Sequence, residues 1–181
     1  MKLEQNEEKK LSALDLRIAV AVLLCCLTAT ILNGLNIKFF YDGKSLEIIQ
    51  KMTSCIACLL CCQDNTKISF KSGVNRLIIT AIGGIVGIVV VLIDTMTNSQ
   101  ALLVLMVGGG VLATLLLCKL AKVPYINARI GGVTFVLVAC TLSGHARVWY
   151  AVFRLVSTFY GVLIVLLVTW VFEKLTKKRA A

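Results

Sequence analysis

Residues 77–93 read LIITAIGGIVGIVVVLI, seventeen residues without a single charge. The hydrocarbon core of a bilayer is about 30 Å thick and takes about 20 helical residues to cross, with about 17 sufficing. The stretch is continuously apolar instead of alternating, so it predicts a membrane helix and not a barrel strand. Residues 101–118 extend the pattern with eighteen more uncharged positions. Further out lie 18–32, the short uncharged run 130–144, and 148–172, whose single charge is Arg154. The least hydrophobic run, 46–62, is broken early by Glu47, Gln50 and Lys51. If that run is helical, Lys51 stands one turn after Glu47 and can pair with it.

Composition agrees with lipid as the solvent. Of 181 residues, 59% are hydrophobic and 15% charged, and the mean hydropathy is +0.91. Soluble domains carry about 45–50% apolar and about 25% charged residues, so a soluble fold would leave large apolar patches in water. The net charge of +10 does not indicate nucleic acid, because the basic residues sit in short segments between apolar runs. The expected architecture is all-α with six transmembrane helices: a polar segment 1–13, a membrane domain 14–172 and a basic tail 173–181. With the N-terminus placed in the cytoplasm, fourteen Lys and Arg fall in inside segments and three outside. This bias orients short loops, predicts both termini cytoplasmic, and inverts over the later loops if 46–62 fails to span. Acidic Glu4, Glu7 and Glu8 ahead of the first run argue against a cleaved signal peptide.

A short pattern recurs. Arg76-Leu77-x-x-Thr80-x-x-Gly83 reappears 78 residues later as Arg154-Leu155-x-x-Thr158-x-x-Gly161. Positions i, i+4 and i+7 share a helix face, so each copy presents Arg, Thr and Gly together. Three spans separate the copies, which makes the repeat inverted, the symmetry many transporters build around a midplane site. Arginine within the membrane costs roughly 2.5 kcal/mol or more at the bilayer centre and usually faces a partner or a watery cavity. Two arrangements are open to Arg154: that inward one, or snorkelling to the headgroups. Arg76, at the inner edge of its run, has the same choice or serves as a topology anchor. Facing inward, the two would be cationic stations for an anion, with Thr80 and Thr158 donating hydrogen bonds to it.

Gly83, Gly84 and Gly87, and the triplet Gly108-Gly109-Gly110, either pack helices closely or unwind to expose backbone; the triplet is the better candidate for unwinding. Asp94 is expected to cap its helix at the interface, and His145 falls in an outer loop. Cys55, Cys58, Cys61 and Cys62 have spacings reminiscent of metal sites but no completing ligand pattern, and in apolar runs cysteine behaves as a small hydrophobe. No nucleophile with its base, phosphate loop or carboxylate pair is present, so neither catalysis, a cofactor nor a metal is expected.

Gln63 and the run Ser72-Gly73-Val74-Asn75-Arg76-Leu77, leading into Thr80 and Gly83-Gly84, resemble the hallmark of the bacterial aromatic acid exporter family. Arg154, Thr158 and Gly161 resemble its closing helix, and Leu16-Arg17-Ile18-Ala19-Val20 its opening one. At Asp64 the family usually has proline. The resemblance spans residues 14–172 and extends to the fusaric-acid-resistance group, itself similar to plant aluminium-activated malate transporters. It implies a homodimer that moves aromatic or other organic carboxylates across the cytoplasmic membrane. A homodimeric anion channel and a non-transporting scaffold are the other functions compatible with these residues.

Overall fold

In the computed structural model, residues 13–35, 38–41, 44–97, 100–141 and 146–180 are described. The polar segment 1–12, the 142–144 end of the fifth run and His145 lie outside them. Six helices are present: α1 Ala13–Gly34, α2 Lys51–Cys61, α3 Thr66–Thr97, α4 Gln100–Leu120, α5 Tyr125–Cys140 and α6 Ala146–Ala180. A two-stranded antiparallel hairpin, β1 Lys38–Tyr41 and β2 Lys44–Glu47, precedes α2.

Four helices, α1, α3, α4 and α6, are long and apolar enough to cross a membrane. Their outward faces carry exposed leucine, isoleucine and valine, including Leu23, Ile31, Ile85, Leu105, Leu112 and Leu167. Water would not tolerate such a surface on a single chain, whereas acyl chains do.

The two remaining helices are short. α2 has 11 residues and α5 has 16, about 16 and 24 Å at 1.5 Å per residue. The run 46–62 is therefore not one helix: Leu46 and Glu47 belong to β2, and the helix starts at Lys51. This removes the expected helical pairing of Glu47 with Lys51. Between strand and helix, the backbone of Ile49 and Gln50 is bonded by side chains. Asn33 donates to the Ile49 carbonyl (3.1 Å), and the Gln50 N–H donates to Ser157 Oγ (2.8 Å), whose own proton goes to the Phe153 carbonyl at 2.6 Å.

The triple glycine, in contrast, does not unwind. α4 runs through it unbroken; Gly108 and Gly109 are exposed, while Gly110 fits against the Phe135 ring. α4 instead stops at Leu120, and Lys122 just beyond it, with a φ of 56°, is the left-handed cap. Val123 N–H bonds Cys118 O and Lys122 N–H bonds Lys119 O there, a Schellman pattern followed by Pro124.

α3 and α6 form the central pair, and they are antiparallel. A Cβ added at Gly73 would meet Val162, and one at Gly84 would meet Ala151, so eleven residues forward on α3 accompany eleven back on α6. Their ends are pinned by Arg147 and Asp94, 2.8 Å apart, so Asp94 is an ion-pair partner of the neighbouring helix. Around this pair α6 packs on α2 and α1, and α3 packs on α5 and α4. The core is correspondingly divided. Ala21, Cys25, Cys58 and Val165 fill one half, and Ile79, Cys118 and Ala128 lie in the other with Phe135 and Val90 nearby.

Candidate functional site

Helix α3 begins at Thr66, so Arg76 stands ten residues inside it and not at its edge. Arg154 stands eight residues into α6. Both side chains are only 5% exposed, which rules out snorkelling in this conformation. From the register of α3 against α6, Arg154 lies level with position 81. The two arginines are therefore about 7–8 Å apart along the helix axes.

Neither guanidinium is well satisfied. Arg154 Nη1 reaches Thr53 Oγ1 at 3.4 Å and Tyr150 OH at 3.5 Å, both long for hydrogen bonds, and its Nε has no partner. Arg76 Nε and Nη1 have no partner either. Among the described residues the buried polar and charged set contains hydroxyls, Asn33 and these two arginines, and no carboxylate. Two like charges thus share the bundle interior without a counter-charge, which low dielectric makes expensive.

Each arginine faces the start of a short helix. Thr53 is the third residue of α2, and Asn127, beside Arg76, is the third of α5. The caps of these helices, Gln50 and Pro124, make no side-chain cap bond. A helix start carries the positive end of the helix dipole and attracts anions, although the Asn127 N–H is already bonded to the Pro124 carbonyl at 2.9 Å. Around Arg154 the polar groups form a chain: Thr53 donates to Gln50 Oε1 (2.9 Å), and Gln50 Nε2 donates to the Tyr150 carbonyl (3.4 Å). Around Arg76 the wall is Ser72, Asn127, Cys61, Leu60, Ile79 and Ile130, enclosing a cavity of about 20 Å³. That holds one water molecule and no aromatic ring.

The recurring threonines have one role in common. Thr80 donates to the Arg76 carbonyl at 2.8 Å, and Thr158 donates to the Arg154 carbonyl at 2.9 Å. Their hydroxyl protons point back along the helix, leaving only acceptor capacity toward the interior. The recurring glycines also match. A Cβ at Gly83 would stand 2.6 Å from the Gly131 carbonyl oxygen of α5, and one at Gly161 would stand 2.5 Å from the Ser54 carbonyl oxygen of α2. Gly87 fits against Val138 of α5, whereas Gly84 meets only Ala151, at 3.9 Å. The glycines therefore set how closely each long helix approaches its short partner, and with it the depth at which each arginine meets the helix start.

Gln50, Thr53, Tyr150, Ser157 and Asn127 complete the site and carried no signal as a group, because three elements supply them. Tyr150 and Ser72 each precede an arginine by one turn, and that spacing was readable.

No individual curated protein and no solved structure matches the chain. A family model described as fusaric acid resistance protein-like matches residues 39–168, from the hairpin through most of α6 and including both arginines. This multi-pass helical chain, with its buried unpaired guanidinium pair, belongs to the fusaric acid resistance protein-like family.

Proposed function

We propose that this protein exports aromatic or related organic carboxylates across the cytoplasmic membrane, with Arg76 and Arg154 as the two counter-charges along the path. One observation carries the reading: two buried arginines lack a carboxylate, and each faces the uncapped start of a half-length helix. Guanidinium and helix amides together suit a planar carboxylate, which accepts paired hydrogen bonds. Thr80 and Thr158 shape the helix beside each arginine and offer acceptor oxygens to a protonated substrate. The family match supports a transport role over catalysis. In the proposed arrangement all six helices cross, α2 with the help of the stretch 48–50, both termini are cytoplasmic, Arg154 lies toward the outside, and two copies work together.

A cavity of about 20 Å³ at Arg76 cannot admit a benzoate. Transport therefore requires α5 or α2 to move away from the central pair, alternately uncovering Arg76 and Arg154. A second reading, a homodimeric anion channel, is favoured by the absence of any carboxylate among the buried described residues, since a proton-coupled carrier commonly uses an intramembrane acid.

Uptake of radiolabelled 4-hydroxybenzoate into proteoliposomes separates them. Coupled export gives uptake that follows an imposed pH gradient and is lost in Arg154→Gln and Arg76→Gln while the variants stay folded. Flux that ignores pH and follows voltage selects the channel. Flux undiminished by both substitutions removes the arginines from the path.

A further inference from the structure

Where α3 begins and α6 approaches its end, two recesses meet. One is an apolar groove of about 520 Å³ walled by Phe70, Leu163, Leu166, Leu167 and Trp170. The other, of about 730 Å³, is polar and walled by Arg17, Asp64, Asn65, Glu173 and Thr176. Thr66, Lys67 and Trp170 line both, so the two are continuous. Each volume lies in the range of about 300–1,000 Å³ usual for small-molecule sites.

The protein leaves the polar end incompletely bonded. Arg17 donates through Nη1 to the Asp64 carbonyl at 2.7 Å and sits 5.7 Å from the Phe172 ring centroid, yet its Nε has no partner. Thr66 Oγ1 has none either. The first amides of α3 are already occupied: Thr66 N–H bonds the Glu173 carboxylate at 2.7 Å and Lys67 N–H bonds Asn65 Oδ1 at 3.0 Å. The recess is therefore not a bare helix terminus. Arg17 Nε and Thr66 Oγ1 lie beneath its surface, and the recess offers the Lys67 ammonium and the Arg17 guanidinium that line it to an anionic group. The Asp64 carboxylate is offered to a cation alongside. Lys174, 4.4 Å above the Trp170 ring centroid, marks this rim as the boundary between apolar and polar surroundings.

We propose that the continuous recess is a specific phospholipid site for phosphatidylethanolamine, one acyl chain lying in the Phe70–Leu167 groove and the headgroup in the polar recess. The phosphate meets the Lys67 ammonium and the Arg17 guanidinium, and the headgroup ammonium meets Asp64. Both signs of charge select the headgroup. A purely anionic lipid would face Asp64 and Glu173 without a cation, and a trimethylated amine has no N–H to donate to a carboxylate. The site lies apart from the arginine pair and holds whether or not the chain exports carboxylates.

The test uses Trp170 as sole tryptophan in a Trp149→Phe background, reconstituted in phosphatidylcholine bilayers. Chain-brominated phosphatidylethanolamine, phosphatidylcholine or phosphatidylglycerol is added at equal low mole fraction. The ethanolamine lipid is expected to quench Trp170 several-fold more effectively than the other two. Lys67→Gln abolishes that preference, and Asp64→Asn, at an exposed position, shifts it toward the glycerol lipid. Equal quenching by ethanolamine and choline lipids would overturn the proposal and leave an ordinary lipid-facing groove. Stronger quenching by the glycerol lipid in the unmodified recess would overturn it in favour of an anionic-lipid surface.

Discussion

A methyl group separates the two kinds of glycine in this molecule. At Gly83 and Gly161 an added Cβ meets a backbone carbonyl oxygen at 2.6 and 2.5 Å, and backbone cannot step aside as a side-chain end can. At Gly84 the same atom meets the Ala151 Cβ at 3.9 Å, an ordinary contact. Gly83→Ala and Gly161→Ala are therefore expected to destabilise by about 1–3 kcal/mol, the usual cost of overpacking, and Gly84→Ala by far less. Cys25, Cys58, Cys61 and Cys118 are buried, so a thiol-reactive fluorescent dye reports unfolding directly on heating. The first two variants should melt several degrees early and Gly84→Ala close to the unmodified protein. Equal melting of all three would mean that the long and short helices are not in the close contact described. The sequence presented Gly83, Gly84 and Gly87 alike as a small surface; which of them touches backbone depends on the partner helix, and no periodicity within α3 encodes that.

The hairpin is the element that the hydropathy pattern concealed. Lys38 to Glu47 pairs β1 with β2 across a two-residue connection, and the residues between the strands are Asp42-Gly43, a favoured hairpin dipeptide. The local signal was present but sat beside a weak apolar run that looked like the start of a span. Long elements were legible for the opposite reason: α3, α4 and α6 are apolar over more residues than any local alternative can use. α2 was not, because it is only 11 residues long and the extended backbone before it is bonded to Asn33 and Ser157, which other elements supply. The hairpin is anchored by Phe39, whose ring lies 4.9 Å from Trp149 and 5.5 Å from Phe153, the residue before Arg154. Phe39→Ala removes these ring contacts, each worth about 0.5–1.5 kcal/mol beyond area burial. In a Trp170→Phe background the Trp149 emission should then shift to the red and become more accessible to iodide. Unchanged emission would mean that the hairpin does not pack on Trp149.

At the scale of the whole molecule, the repeat read from four matched residues extends to contacts that no hydropathy plot contains. Gly73 meets Val162, and Ala151 meets Gly84; a shift of 78 residues carries 73 to 151 and 84 to 162, and so exchanges the two contacts. The apolar groove on the opposite face of α3 and α6 obeys the same shift, with Leu77, Ile78 and Ala81 against Leu155, Val156 and Phe159. An antiparallel pair whose contacts exchange under one shift has a local two-fold axis across its middle. That axis places Arg76 and Arg154 in equivalent surroundings facing opposite ways. It also makes a sharp prediction. The Cβ built at Gly73 lies 3.5 Å from the Val162 Cβ, and that at Gly84 lies 3.9 Å from the Ala151 Cβ, both inside the range of about 3.5–4.5 Å that a disulfide bridges. Gly73→Cys with Val162→Cys, and separately Gly84→Cys with Ala151→Cys, should each cross-link on mild oxidation. The crossed pair, Gly73→Cys with Ala151→Cys, lies at opposite ends of the contact and should not. A protease site inserted between α4 and α5 gives the readout, since only bridged chains remain joined on a non-reducing gel after cutting. Cross-linking of the crossed pair alone would require α3 and α6 to run parallel, which would abolish the inverted relation and, with it, the opposed placement of the two arginines.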